Sequence, residues 1–229
     1  TDEGYKLRFP GQLVYQAVVA GTLTDRQTIE PFVVGDCPDC DGDLTAAYHP
    51  DHLLTVECEG CETLFDAMHF PARGLPDRSK QEVLEAAYQR RFHKLGLMRR
   101  GVCHSGGGRV NRSLQHDASI SYGSASVEEM AGLETYATLA CDACNTSLVG
   151  DPAVIAATTS TVIGFFADHD RDVALSNWWD DPFTVARCGV EIVEKDPLSV
   201  TIPFEIDDER LTITLNNSLQ VVDSTRKSC

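Results

Sequence analysis

Apolar and polar positions alternate most regularly near the end of the chain. Leu198, Val200, Ile202, Phe204 and Ile206 recur at every second residue, as do Leu211, Ile213 and Leu215, with Val190 and Ile192 before them and Leu219 and Val221 after. A period of two marks strands with one buried face, so this stretch predicts an antiparallel meander. Its turns fall at Lys195-Asp196-Pro197, Asp207-Asp208-Glu209 and Asn216-Asn217-Ser218. A one-sided sheet needs a cover, and the residues just upstream supply it. Asp151-Pro152 is an N-cap and first-turn pair opening one helix through Val154, Ile155, Val162, Ile163, Phe165 and Phe166. That helix ends near Asp168-His169-Asp170, read as a solvated terminus, and Ser176 to Asp181 begins another short helix.

A period near 3.6 appears in the middle of the chain. Pro76 precedes a capping box, Ser79-x-x-Glu82, after which Leu84, Tyr88, Phe92 and Leu95 recur every three or four residues until Gly101 stops the helix. Its last turns carry Arg90, Arg91, Lys94, Arg99 and Arg100, a dense basic cluster that the helix macrodipole explains without a phosphate partner. At the start of the chain, Tyr5, Leu7 and Phe9 alternate with Lys6 and Arg8 as in a strand, which Pro10-Gly11 ends. Gln12 to Ala20 then follows at helical spacing.

The cysteines carry the chemistry. Cys37-Pro38-Asp39-Cys40 and Cys58-Glu59-Gly60-Cys61 are two CxxC turns at the separation of a zinc ribbon. Leu44 to Tyr48 and Leu53 to Val56 form the antiparallel pair that brings the turns together, and Thr63 to Phe70 supplies a third strand. Four thiolates close a tetrahedron around Zn2+ and leave no open position, which argues for architecture rather than metal catalysis. Disulfides or a redox CxxC are the competing readings; no signal peptide and no strand-to-helix setting support them. A zinc deaminase is excluded because Asp36, not proline, precedes Cys37.

The same pattern recurs with one change. Val102-Cys103-His104-Ser105-Gly106 has the shape of a CxxC turn with glycine in place of the second cysteine, and Cys141-Asp142-Ala143-Cys144 is its intact partner. This predicts a second ribbon that has lost a ligand. Three outcomes stay open: a ribbon held by packing without metal, a site of Cys103, Cys141 and Cys144 completed by His116 or His104, or completion by Cys188 or another chain. Trp178 and Trp179 are read as core packing, with a ligand or dimer contact as the alternative.

Composition narrows the partners. The 229 residues hold 35 Asp+Glu against 19 Lys+Arg, a formal net charge of -16. Abundant carboxylate with few lysines fits a very salty cytosol, in which repulsion between surface charges is screened. So acidic a surface is a poor partner for nucleic acid, whose affinity draws on Lys and Arg. Nine cysteines, mostly in CxxC pairs, suit a reducing, cytoplasmic setting, and no apolar run is long enough for a membrane span. There is no Gly-x-Ser-x-Gly, phosphate loop or His-Glu-x-x-His, so an enzyme is not expected.

The expected organisation is α+β: 1–30 as a strand and a helix, which the resemblance set out next would make the end of a wing and an exit helix, 31–75 as zinc ribbon one, 76–100 as a connecting helix, 101–150 as a degenerate second ribbon, and 151–229 as helices covering the antiparallel meander. Taken together, Thr1 to Leu7 followed by Gly11 and Val14 to Thr24, the CPDC and CEGC pair, Gly101-Val102-Cys103 and Asp196-Pro197-Leu198 resemble the region downstream of the DNA-binding domain in ArsR-type winged helix-turn-helix regulators of halophilic archaea. The resemblance implies a sensing or dimerising region, a homodimer, and DNA contact only through a winged helix upstream of Thr1. It names no small-molecule effector. Gly106 departs from the family's pattern, which has cysteine there. The alternative function is a zinc-ribbon adaptor that binds another protein without sensing; a ligand- or metal-dependent change in stability or oligomeric state separates the two.

Overall fold

A computed structural model describes residues 8–21, 26–116, 121–122, 125–126, 135–174 and 189–228. The chain is α+β and divides into two compact units, 1–87 and 88–229. Helix α1 (Phe9–Val19) begins three residues earlier than the apolar spacing suggested. Pro10 opens the helix instead of ending a strand, because its fixed φ suits the first turn and its missing N–H is no loss there.

Strands β1 (Ile29–Asp36), β2 (Asp43–Tyr48), β3 (Leu53–Cys58) and β4 (Leu64–His69) form an antiparallel sheet in sequence order. β2 is buried from Leu44 to Tyr48, as befits a central strand covered on both faces. The Tyr48 hydroxyl donates to the Phe70 carbonyl at 2.7 Å and meets His52 Nδ1 at 3.0 Å, so its burial leaves no bond unmade.

A 3-10 turn (Ala72–Gly74) leads to α2 (Lys80–Arg99). The capping box forms as expected: Ser79 N–H donates to Glu82 Oε2 at 2.7 Å, and Glu82 N–H donates to Ser79 Oγ at 3.3 Å. At the other end Gly101 takes φ +89°, with Gly101 N–H bonded to Met98 O and Val102 N–H to Leu97 O, a Schellman stop. The basic cluster is partly structural. Arg99 is half-buried and donates to Thr158 Oγ1 and Thr158 O, while Arg112 donates to Arg99 O at 2.7 Å. Burial, with Arg90 nearby, pulls Lys94 down to about 8.

In the second unit β5 (Val110–His116) is followed by the short pair β6 (Ser121–Tyr122) and β7 (Ala125–Ser126), then β8 (Thr135–Cys141) and β9 (Ser147–Gly150). β5, β8 and β9 make a three-stranded antiparallel sheet. The predicted single helix after Asp151 is two helices, α3 (Pro152–Ala156) and α4 (Ser160–Ala167). The break has a local cause: Asp151 caps α3 through Ala153 N–H at 2.7 Å, and Thr159 restarts the chain by accepting from Val162 N–H at 3.3 Å.

The meander is β10 (Glu191–Lys195), β11 (Leu198–Ile206), β12 (Glu209–Leu215) and β13 (Val221–Ser228), antiparallel in sequence order. Its apolar face is covered as expected, since Ile155, Val162, Phe165 and Phe166 share one core with Val200, Ile202, Phe204, Leu211 and Ile213. Phe166 stands edge-on to Phe204, with ring centroids 6.4 Å apart. The Asp168-His169 helix end is not merely solvated. Arg226 reaches Asp168 at 2.5 Å, also pairs with Glu209, and lies over the Phe165 ring; His169 Nδ1 meets Phe165 O at 2.8 Å.

Candidate metal centre

The turn between β1 and β2 and the turn between β3 and β4 each project two thiols toward the other. Cys37 Sγ lies 3.8 Å from Cys61 Sγ, and Cys40 Sγ 3.5 Å from Cys58 Sγ; all four sulfurs lie within 4.8 Å of one another. These separations fit a metal tetrahedron, whose sulfur–sulfur edge is about 3.8 Å for Zn–S bonds of about 2.3 Å. They are far too long for disulfides, and the seven described cysteines are all free.

Backbone groups shape the site from behind. Cys37 N–H donates to Gly42 O at 2.8 Å and Cys58 N–H to Thr63 O at 3.0 Å, so each turn closes on itself. Asp39, Gly42 and Gly60 N–H groups point at the sulfurs of Cys37, Cys40 and Cys58 at 3.3–3.4 Å, which favours thiolates. The glycines are needed by contact: a Cβ on Gly42 would sit 3.2 Å from the sulfurs of Cys40 and Cys58 and 3.2 Å from Gly60 Cα.

Cys37, Cys40 and Cys58 do not ionise alike. Backbone bonding, above all from Cys61, lowers Cys58 to about 7. Cys40 feels a lowering bond from Gly42, yet its thiol neighbours and burial raise it to about 12, while burial raises Cys37. Four negative sulfurs this close cannot be held without a cation among them. A divalent soft ion would supply that charge, so the donor set, spacing and backbone bonds fit zinc as a structural ion.

The second unit repeats the frame. Cys103 N–H donates to Gly108 O and Cys141 N–H to Thr146 O, both at 2.9 Å, the same five-residue closure seen at Cys37 and Cys58. Cys103, Cys141 and Cys144 bring three sulfurs within 4.8 Å of one another, Cys103 Sγ being 3.5 Å from Cys144 Sγ. Gly106 occupies the place of Cys40, and a Cβ there would lie 3.1 Å from Cys144 Sγ. Gly108 stands where Gly42 stands, with room for no Cβ against Ala143 and Cys141 at 2.9 Å. The Gly106 N–H bond is the largest influence lowering Cys103 to about 6, while burial raises Cys141.

Neither candidate histidine joins these sulfurs. His104 turns its Nδ1 to Ser105 Oγ at 3.1 Å. His116 pairs with Thr135, six residues along the ladder from the Val110–Cys141 pair, hence roughly 20 Å away at about 3.4 Å per residue. The reason is geometric: an extended strand carries its far end away from the turn. Trp178, Trp179 and Cys188 lie outside the described residues. Two features of the site were not singled out from sequence, although both left a trace there: glycine stands five positions after Cys37 and again after Cys103.

Fold and site together define an α+β protein with a tetracysteine ribbon able to hold a metal ion and a second, three-cysteine ribbon. A family model described as a domain of unknown function (DUF7351) matches residues 34–221, and the chain belongs to that family. No curated protein and no solved structure matches the chain significantly. Among the described residues, no helix is long and apolar enough to cross a membrane.

Proposed function

We propose that this chain is the sensing or dimerising region of a winged helix-turn-helix transcriptional regulator, working as a homodimer, with the DNA-reading helices upstream of Thr1. In this reading the four-cysteine ribbon is architectural, the protein has no catalytic role, and its acidic surface belongs to a salty archaeal cytosol. The resemblance set out above supports the class. The observation that carries the assembly role is α1: Leu13, Val14, Tyr15, Val18 and Val19 are each between 45% and 64% exposed. A helix that is apolar around most of its circumference is normally a buried one. Placed where the resemblance puts the exit helix of a DNA-binding domain, α1 is suited to pack against its counterpart in a second copy.

Sedimentation equilibrium tests the assembly. The chain is expected to dimerise, and Val14→Asp with Val18→Asp is expected to return it to a monomer without loss of the β signal in circular dichroism. A wild-type monomer, or a dimer indifferent to both changes, overturns the role given to α1. In a gel shift the chain alone should show no sequence-specific DNA binding, whereas a protein extended upstream should bind. Tight specific binding by the chain alone would overturn the placement of the DNA contact.

A further inference from the structure

We propose that Cys103, Cys141 and Cys144 hold a second zinc ion whose fourth position is open, and that this position takes a low-molecular-mass thiol from solution. The inference does not depend on the transcriptional reading. It begins from the repeat: both units build the same pair of turns, each closed by a Cys N–H to a carbonyl five residues on, so both present sulfurs in the same frame. In the first unit four sulfurs fill that frame. In the second, three do, within 4.8 Å of one another, and glycine takes the remaining corner.

Several observations on the described residues leave this corner open. Among the described residues no histidine or carboxylate joins the three sulfurs. His104, the nearest in sequence, faces Ser105. Gly106 presents no side chain to the cluster. Cys103 and Cys141 are buried, but Cys144, Ser105, Gly106 and Gly107 are exposed, so the missing corner faces solvent while the opposite side of the cluster is enclosed.

Zinc with three protein ligands keeps a fourth site for water or another donor. Three thiolates already make the ion's surroundings soft, and a further sulfur matches them better than oxygen does. In the exchange the incoming thiol loses its S–H proton to solvent, its sulfur bonds to zinc, and the bound water leaves; nothing is oxidised or reduced. Ser105, Gly106, Gly107 and Cys144 are exposed, so a small thiol can reach this position from solvent.

Cobalt(II) tests this, because its ligand-field and sulfur charge-transfer bands report the donor set. The complete chain, prepared metal-free without oxygen, is titrated with Co2+ and then with 2-mercaptoethanol. Two cobalt ions per chain are expected, with the thiol shifting the bands of one of them only. Cys144→Ser should lose the responding ion. Gly106→Cys should keep both ions and abolish the response, and the exposed Cys144 can yield the few tenths of an ångström its Cβ needs. Binding of a single cobalt ion, or a thiol response in both ions or in neither, overturns the proposal. These readings come from the wild-type protein, so they stand even if a variant fails to fold.

Discussion

Replacing Cys40 by serine should unfold the first ribbon, whereas Cys144→Ser should leave the second ribbon standing. Cys40 Sγ lies 3.5 Å from Cys58 Sγ and receives the Gly42 N–H, at the centre of the closed set. A structural zinc site in a small ribbon contributes about 10–16 kcal/mol at neutral pH. Losing even about a third of that, on the order of 4 kcal/mol, is comparable with the whole net stability of a small domain, about 5–15 kcal/mol. Cys144 differs because it is exposed, and its ribbon is also held by a hydrophobic core. Cys103 and Cys141 belong to a core that also contains Leu114, Leu139, Phe166 and Ile202, all of which remain in the variant. A loss of about 1–2 kcal/mol is expected there. The assay is hydrogen exchange read by mass spectrometry on the zinc-loaded variants, following peptides from β2–β3 and from β5–β8 separately. Protection in β2–β3 should vanish in Cys40→Ser, and protection in β5–β8 should persist in Cys144→Ser. Equal losses in the two variants would refute the reasoning.

Three further outcomes are expected. Gly42→Ala should weaken zinc retention and cost about 1–3 kcal/mol, because the added methyl meets Gly60 backbone and two sulfurs at 3.2 Å; chelator competition would show it as faster zinc loss. Asp151 is buried, which holds its carboxyl near pH 7 despite the opposing Ala153 N–H and Arg91. Because the folded protein keeps that proton longer than the unfolded one, its contribution is complete below about pH 4, falls as pH rises to about 7, and is flat above. Asp151→Asn keeps a cap acceptor without the charge, so its stability relative to wild type should rise across that window, by up to about 4 kcal/mol in denaturant titrations. Ser79→Ala should remove the capping box and cost about 1 kcal/mol in thermal unfolding, with Ser79→Asp largely restoring it.

Much of the fold is legible in the residues because local chemistry and burial agree. The two CxxC turns, the Ser79-x-x-Glu82 cap and the alternation from Leu198 to Leu215 each specify their element within a few residues. What is not legible depends on a choice between two permitted local structures, or on partners distant in sequence. Pro10 serves a helix start as well as it stops a strand, and only the chain beyond it decides. Thr158-Thr159 lies inside an apolar spacing that one helix would satisfy; the break follows from Thr159 capping α4, a local bond that the spacing alone does not declare, and from Arg99, 59 residues away, binding Thr158. β9, at Ser147–Gly150, is too short for alternation to declare it and exists because β8 offers it an edge. The end of α4 looked solvated because Arg226, its cation, arrives 58 residues later. At the metal centre the ligands follow from spacing, but the exclusion of His116 needs strand register.

The backbone closure shared by the turns after Cys37, Cys58, Cys103 and Cys141 bears on how such a protein can change over time. Each turn is held by its own peptide groups, so a thiol can disappear while its loop keeps its shape. A cysteine codon becomes a glycine codon by one base change, and position 106 is a place where that exchange is tolerated structurally. Selection can therefore add or withdraw a metal ligand there without rebuilding a strand. With two copies of the frame in one polypeptide, one can go on fixing the architecture while the other is free to acquire new chemistry.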